Sequence, residues 1–116
     1  MHDELRGLRF PFDARAEVSV DNSPEKLPAR VAELSLRGCR LEMSGTLAER
    51  LSVQVRVFNS GETFEAPATI IYVKPSGVGL MFGDIKPHFR EVLQNWILAE
   101  VDKQAEGEPP QQPKRA

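Results

Sequence analysis

The feature that most constrains this sequence is a two-residue alternation of apolar and polar side chains, interrupted at intervals by turn-forming residues. It is clearest where Val53, Val55 and Val57 alternate with polar neighbours. A period of two is typical of a strand with one buried face. The alternation and the turn clusters predict six strands, at about residues 14–20, 27–36, 39–43, 53–57, 63–73 and 78–82.

The period then changes from two to between three and four. Apolar residues recur at Phe89, Val92, Leu93, Trp96, Ile97 and Val101. This spacing predicts one stripe of an amphipathic helix that begins near Pro87. Helical segments of this kind do not separate the strands, which disfavours a parallel α/β fold. We therefore expect a mainly β protein, a six-stranded antiparallel β-barrel with a C-terminal α-helix.

The length of 116 residues suits one domain. We expect residues 1–12 to form a flexible N-terminal arm and residues 13–101 to form the barrel and its helix. Residues 102–116 lack periodic apolar positions and are rich in proline, glutamine and charge, so they are expected to be a disordered tail.

The charge balance and the distribution of apolar residues disfavour several classes of protein. Fifteen basic and seventeen acidic residues give a net charge of −2, which disfavours a protein that binds nucleic-acid polymers through a broad cationic surface. The longest apolar stretch, residues 68–73, is far shorter than the roughly 20 residues that span a bilayer. The first residues are charged, unlike the apolar core of a signal peptide. We expect a cytoplasmic protein that is not inserted in a membrane.

The sequence offers little for catalysis or metal binding. One cysteine, Cys39, and two histidines exclude a disulfide within the chain and disfavour a zinc site. Cys39 lies on the inward side of the alternation, which predicts a buried thiol, and His88 is predicted to be exposed at the start of the helix. Residues 77–79 lack the lysine and the following helix of a phosphate-binding loop. We expect no enzymatic activity, no metal and no cofactor.

Two segments combine charge with turn chemistry. Arg6 and Arg9 precede the first strand, and residues 33–38, Glu-Leu-Ser-Leu-Arg-Gly, lie at the break between the second and third strands. Together they resemble the R-x-x-x-R and D/N-x-S-x-x-G motifs of the PilZ domain family, with Ser35 and Gly38 matching the second motif. Residues 77–82 resemble the penultimate strand of that family. The resemblance covers nearly the whole chain, and it implies the same barrel and helix that the periodicity predicts.

The family resemblance implies a receptor for the bacterial second messenger cyclic di-GMP that signals to a protein partner, as yet unknown, in motility, biofilm or virulence control. Arginines suit the O6 and N7 acceptors of guanine, a carboxylate suits its N1 and N2 donors, and a glycine permits close approach of the backbone. The binding residues implied are Arg6, Arg9, Glu33, Ser35 and Gly38, with Arg37 and Tyr72 as possible accessory residues.

Two positions depart from the family motifs. Leu5 stands where the first arginine belongs, so that Arg6 is one residue late, and Glu33 replaces Asp or Asn with one extra methylene. These changes leave open an alternative, a PilZ-like protein-interaction module that binds no dinucleotide, for example in type IV pilus or other surface-motility machinery. A third hypothesis, an oligonucleotide-binding module, is disfavoured by the net charge and by the lack of clustered aromatic residues in the strands.

Each candidate residue also has a purely structural interpretation. Glu33 and Arg37 are four residues apart and are able to form a surface ion pair worth less than about 1 kcal/mol. In this interpretation Ser35 forms hydrogen bonds only within the turn, and Gly38 only allows the backbone to bend. Tyr72 either stacks on an exposed guanine or covers the edge of the barrel.

Overall fold

The structure, a computed structural model, describes residues 9–44 and 47–107 and contains six strands followed by one long helix. Their bounds are β1 Phe10–Val20, β2 Lys26–Leu34, β3 Gly38–Glu42, β4 Ser52–Asn59, β5 Glu62–Lys74, β6 Gly77–Phe82 and α1 Pro87–Gly107.

The six strands close into a barrel in the order β1-β2-β3-β6-β5-β4, and every neighbouring pair is antiparallel. The predicted fold class is confirmed. Consecutive strands pair through short turns, except that β3 pairs with β6 and β1 with β4 to complete the closure. The turn between β2 and β3 therefore lies beside the end of β6.

The core follows the alternation in the sequence. In β4 the side chains of Val53, Val55 and Val57 are at most 1% exposed, whereas Ser52 and Gln54 face solvent. Burying a valine side chain contributes about 1.5–3 kcal/mol, so this alternation fixes which face of the strand points inward.

Helix α1 closes one end of the barrel with its predicted apolar stripe. Leu93 and Ile97 are fully buried, and the Trp96 ring stacks on Phe12 with 5.6 Å between centroids. The Trp96 indole N–H donates to a Glu62 carboxylate oxygen at 3.2 Å, so its polar edge is satisfied. Within the residues described, no helix has the length and apolar character needed to cross a membrane.

Two predicted boundaries are wrong. Strand β1 begins at Phe10, and Phe10 and Phe12 are buried on either side of exposed Pro11, so residues 10–12 belong to the barrel and not to a flexible arm. Helix α1 extends to Gly107, beyond the predicted end at residue 101. Residues 102–106 add no apolar stripe but are mostly good helix formers, and the helix ends at Gly107, two residues before Pro109.

Register shifts interrupt the pairing at two places that matter for the site. One falls between Val31 and Glu33 in the β2–β3 pair, and another between Ile70 and Tyr72 in the β5–β6 pair. An irregularity of this kind bends a strand and re-aims the side chains next to it. Glu33 and Tyr72 follow these two shifts, and both face the same external depression.

Candidate functional site

The turn between β2 and β3 is held by the side chain of Ser35. Its Oγ accepts hydrogen bonds from the backbone N–H groups of Arg37, at 3.2 Å, and Gly38, at 3.1 Å, and its O–H donates to the Gly38 carbonyl oxygen at 3.2 Å. The Ser35 backbone N–H also donates to that carbonyl at 2.9 Å. Ser35 is buried, so these bonds satisfy groups that would otherwise lack partners. In the structure, the Ser35 hydroxyl therefore forms its hydrogen bonds within the turn.

Gly38 is required by the close approach of β3 to β6. A Cβ added there would overlap the carbonyl oxygen of Leu80 and lie 3.2 Å from the Cα of Met81. The neighbouring Arg37 carbonyl accepts a hydrogen bond from the Phe82 N–H at 2.8 Å. The absence of a side chain at Gly38 therefore allows β3 and β6 to pair closely, and it also allows the backbone to bend.

A line of three charged side chains runs along the outside of this turn. The Glu33 carboxylate lies 3.8 Å from Nη1 of Arg9 through one oxygen and 3.5 Å from Nη2 of Arg40 through the other. Glu33 is opposite Arg40 in the β2–β3 register, and Arg9 directly precedes β1. Arg40 also donates to the Ser76 carbonyl oxygen at 2.8 Å, which ties it to the β5–β6 turn.

The proposed surface pair between Glu33 and Arg37 is wrong. Strand β2 ends at Leu34, so the turn carries Arg37 out of the strand and the four-residue spacing no longer places it on the face of Glu33. The arginine partners of Glu33 are Arg9 and Arg40. The side chain of Arg37 is exposed at the mouth of the depression.

The opposite wall is apolar. Tyr72 lies over Gly79, where an added Cβ would overlap its ring, and the Lys74 ammonium is 4.8 Å from the ring centroid. Tyr72 thus covers the backbone of β6 and also lines the depression. Beside it, Ile71 is 45% exposed and Met81 is 50% exposed. Large apolar side chains with this exposure suit contact with a flat apolar or aromatic surface.

We call this depression the arginine pocket. It has a volume of about 190 Å³ and is lined by Arg9, Glu33, Leu34, Ser35, Arg37, Gly38, Cys39, Arg40, Ile71, Tyr72, Gly79, Leu80 and Met81. Three arginines against one glutamate give it a local charge of +2, opposite in sign to the whole chain. Because pockets that enclose a small ligand usually measure about 300–1,000 Å³, this one suits part of a larger anionic ligand.

Cys39 forms the inner surface of the arginine pocket but offers no reactive thiolate. Burial raises its pKa to about 12, so the thiol stays protonated at neutral pH. The predicted burial of Cys39 and exposure of His88 are confirmed. In residues 9–44 and 47–107, no three histidine, cysteine or carboxylate side chains cluster as a metal site would require.

The structure brings most of the predicted site residues together. Arg9, Glu33, Ser35 and Gly38 all line the arginine pocket, as do both accessory residues. Arg6 lies outside the described residues. Arg40 was missed by the sequence analysis, although the alternation places it on the outer face of β3 and a tight turn sets it opposite Glu33.

A closed six-stranded barrel, capped by a helix and carrying a cationic pocket beside one turn, defines a small β-barrel domain with a candidate site on its surface. Comparison with known families identifies which one: the model of the PilZ domain matches residues 4–99. The chain belongs to the PilZ domain family.

Solved structures with the same fold are similar to the chain at low sequence identity. The PilZ domain of CeSA from a cellulose-synthesizing bacterium has a TM-score of 0.67 and 19% identity, over 80% of this chain and 97% of that one. The PilZ domain of YcgR from Escherichia coli, solved with c-di-GMP, has a TM-score of 0.65 and 15% identity, over 88% and 95%. The inhibitor of motility MotI/DgrA from Bacillus subtilis has a TM-score of 0.69 and 11% identity, over 86% and 51%. No curated protein matches the sequence.

Proposed function

We propose that this PilZ domain binds cyclic di-GMP at the arginine pocket and passes the signal to a protein partner. The observation that carries the proposal is the convergence of Arg9, Glu33, Ser35 and Gly38, from two separate segments of the chain, on one cationic depression. A cyclic dinucleotide supplies two negative phosphates, and the pocket has a matching local charge of +2. The small volume suits a ligand of which one base or phosphate enters while the rest lies on the surface.

Arg9 is the residue we expect to contribute most. Its side chain is 63% exposed, and its guanidinium presents a planar set of donors to phosphate or to the guanine O6 and N7 atoms. Ser35 supports the site by fixing the turn, and the exposed Arg37 lies at its mouth. Tyr72 offers an aromatic surface on the opposite wall.

Signalling would act through surfaces near the pocket. Strand β1 begins at Phe10, directly after Arg9. In this proposal, the arm that becomes ordered when the ligand binds therefore consists only of residues ahead of Phe10. We propose that its ordering changes the surface offered to a protein partner in motility, biofilm or virulence control. In this role the domain works in the cytoplasm, has no catalytic activity and needs no cofactor.

The test is isothermal titration of the full chain with cyclic di-GMP at physiological salt, with GTP as the control ligand. We expect low-micromolar or tighter binding of the dinucleotide alone. Loss of a charge-assisted hydrogen bond costs about 1.5–3 kcal/mol, so Arg9→Ala is expected to weaken binding roughly ten- to a hundredfold. The control Arg15→Ala removes an exposed arginine that packs over Phe58, outside the pocket, and is expected to bind normally. No binding by the wild-type chain up to about 100 µM, or equal effects of the two variants, refutes the proposal.

A second function is favoured by the apolar wall of the pocket. Ile71 and Met81 are about half exposed beside Tyr72, and large exposed apolar side chains in one patch are typical of protein contact surfaces. If the titration shows no dinucleotide binding, we propose that this face binds a protein directly, as a PilZ-like interaction module. Met81→Glu, which places a negative charge in the apolar patch, is then expected to abolish partner capture while the barrel stays folded.

A further inference from the structure

We propose that Glu33 is an internal counterion of the arginine pocket, which an anionic ligand must displace from Arg9, and that it is not an acceptor for the ligand. The proposal rests on the proposed function for the identity of the natural ligand. Both oxygens of the Glu33 carboxylate already face arginines, at 3.8 Å from Arg9 and 3.5 Å from Arg40. An anion that enters the pocket therefore competes with this carboxylate for both guanidinium groups.

The two arginines differ in how firmly they are held. Arg40 is 24% exposed and donates to the Ser76 carbonyl oxygen at 2.8 Å. Its stem passes close to Gly77, where an added Cβ would lie 3.2 Å from the Arg40 Cγ. These contacts fix the Arg40 side chain in place, independently of Glu33.

Arg9, in contrast, is 63% exposed, and its 3.8 Å separation from Glu33 is beyond hydrogen-bond distance. An exposed pair of this kind is worth less than about 1 kcal/mol. Arg9 is therefore the arginine that exchanges its partner. It moves from the carboxylate to a ligand phosphate, while Arg40 remains as a fixed cation in the wall.

The extra methylene of Glu33 has a role in this arrangement. The carboxylate extends far enough from β2 to lie between an arginine ahead of β1 and an arginine on β3. It neutralises part of the pocket when no ligand is bound. The cost is competition with every anionic ligand, because the carboxylate stays in the pocket after Arg9 has left it.

Glu33→Gln separates this role from that of a ligand acceptor. Glutamine keeps the length of the side chain and a carbonyl acceptor but removes the charge. If Glu33 is a counterion, its removal strengthens the binding of anions. If Glu33 accepts from a guanine, loss of the charge-assisted bond weakens binding of the dinucleotide.

The experiment measures the affinity of the full chain for cyclic di-GMP by calorimetry and, in parallel, for inorganic pyrophosphate by NMR of the arginine side-chain N–H groups. The matched control is Glu65→Gln, which makes the same change in net charge at a carboxylate bonded to Arg56 at 2.8 Å, outside the arginine pocket. Relative to this control, Glu33→Gln is expected to bind both anions roughly three- to tenfold more tightly, because it loses two ion pairs worth less than about 1 kcal/mol each.

The two ligands distinguish failure of this proposal from failure of the proposed function. If neither the wild type nor Glu33→Gln binds cyclic di-GMP, the proposed function is wrong, and pyrophosphate alone decides the role of Glu33. Tighter pyrophosphate binding by Glu33→Gln than by Glu65→Gln supports the counterion. Equal or weaker binding of pyrophosphate overturns it, as does weaker dinucleotide binding by Glu33→Gln.

Discussion

Replacing Gly38 with alanine is expected to destabilise the fold, although the residue matches the glycine of the second PilZ family motif. The added Cβ would overlap the Leu80 carbonyl oxygen and lie 3.1 Å from the Leu80 carbonyl carbon. These are backbone atoms of β6, so no side-chain rotation relieves the contact. Strands β3 and β6 have to separate at the point where the Phe82 N–H donates to the Arg37 carbonyl.

The magnitude follows from two contributions. Overpacking in a closely packed region costs about 1–3 kcal/mol, and each backbone hydrogen bond that is weakened costs about 0.5–1.5 kcal/mol. A total of about 2–5 kcal/mol is a large part of the roughly 5–15 kcal/mol that stabilises a small domain. At about 4–8 °C per kcal/mol, Tm should fall by roughly 8–40 °C.

Trp96 provides the assay, because it is the single tryptophan and is 5% exposed in the folded chain. Urea unfolding followed by its fluorescence gives the free energy of unfolding for each variant. Gly83→Ala is the matched control, since a Cβ there would meet Pro67 at an ordinary 3.5 Å. A loss of stability for Gly38→Ala within about 0.5 kcal/mol of the control would refute the steric reasoning, since changes of that size are usual at uncritical surface sites.

Three further outcomes are expected. Ser35→Ala removes the acceptor of the Arg37 and Gly38 N–H groups in the buried turn, so we expect a loss of about 1–3 kcal/mol in the same urea experiment. Burial raises the pKa of Cys39 from 9.0 to about 12, so between these values the unfolded chain releases a proton that the folded chain keeps. The stability of the wild type should therefore decrease more steeply than that of Cys39→Ala as the pH rises above about 9. Leu5→Arg restores the first arginine of the family motif and should tighten cyclic di-GMP binding about tenfold in calorimetry.

Each of these outcomes has a clear contrary result. Unchanged stability of Ser35→Ala would mean that water replaces the hydroxyl in the turn. Parallel pH profiles of the wild type and Cys39→Ala would mean that the thiol is not shielded from solvent. An unchanged affinity of Leu5→Arg would show that the missing arginine does not limit binding.

The barrel was predictable because its strands bury one face. The alternating valines of β4 and the apolar stripe of α1 indicate which side chains point into the core, and the structure buries these side chains. The ends of elements were less predictable. Phe10 and Phe12 continue the alternation of β1 past Pro11, and a proline at that position obscured the start of the strand.

The site was predictable where it depends on turn chemistry and less so where it depends on register. The roles of Ser35 and Gly38 in the turn were predictable from the sequence, since a serine and a glycine three residues apart suit a tight turn. The partners of Glu33 depend on where β2 ends and on how β3 pairs with it. The exposure of Ile71 depends on a register shift in β5 that leaves no mark in the sequence.

Closure of the sheet limits how this domain meets a partner. In the order β1-β2-β3-β6-β5-β4, each described strand has a neighbour on both sides. Unpaired backbone groups are therefore limited to the strand ends that extend past one neighbour, such as residues 26–29 of β2. No strand of the barrel offers a full-length open edge to which another protein adds a strand, so recognition depends mainly on side chains on the outer faces of the sheet. The same closure removes the template on which chains stack edge to edge, so the domain is expected to tolerate high local concentrations without forming cross-β aggregates.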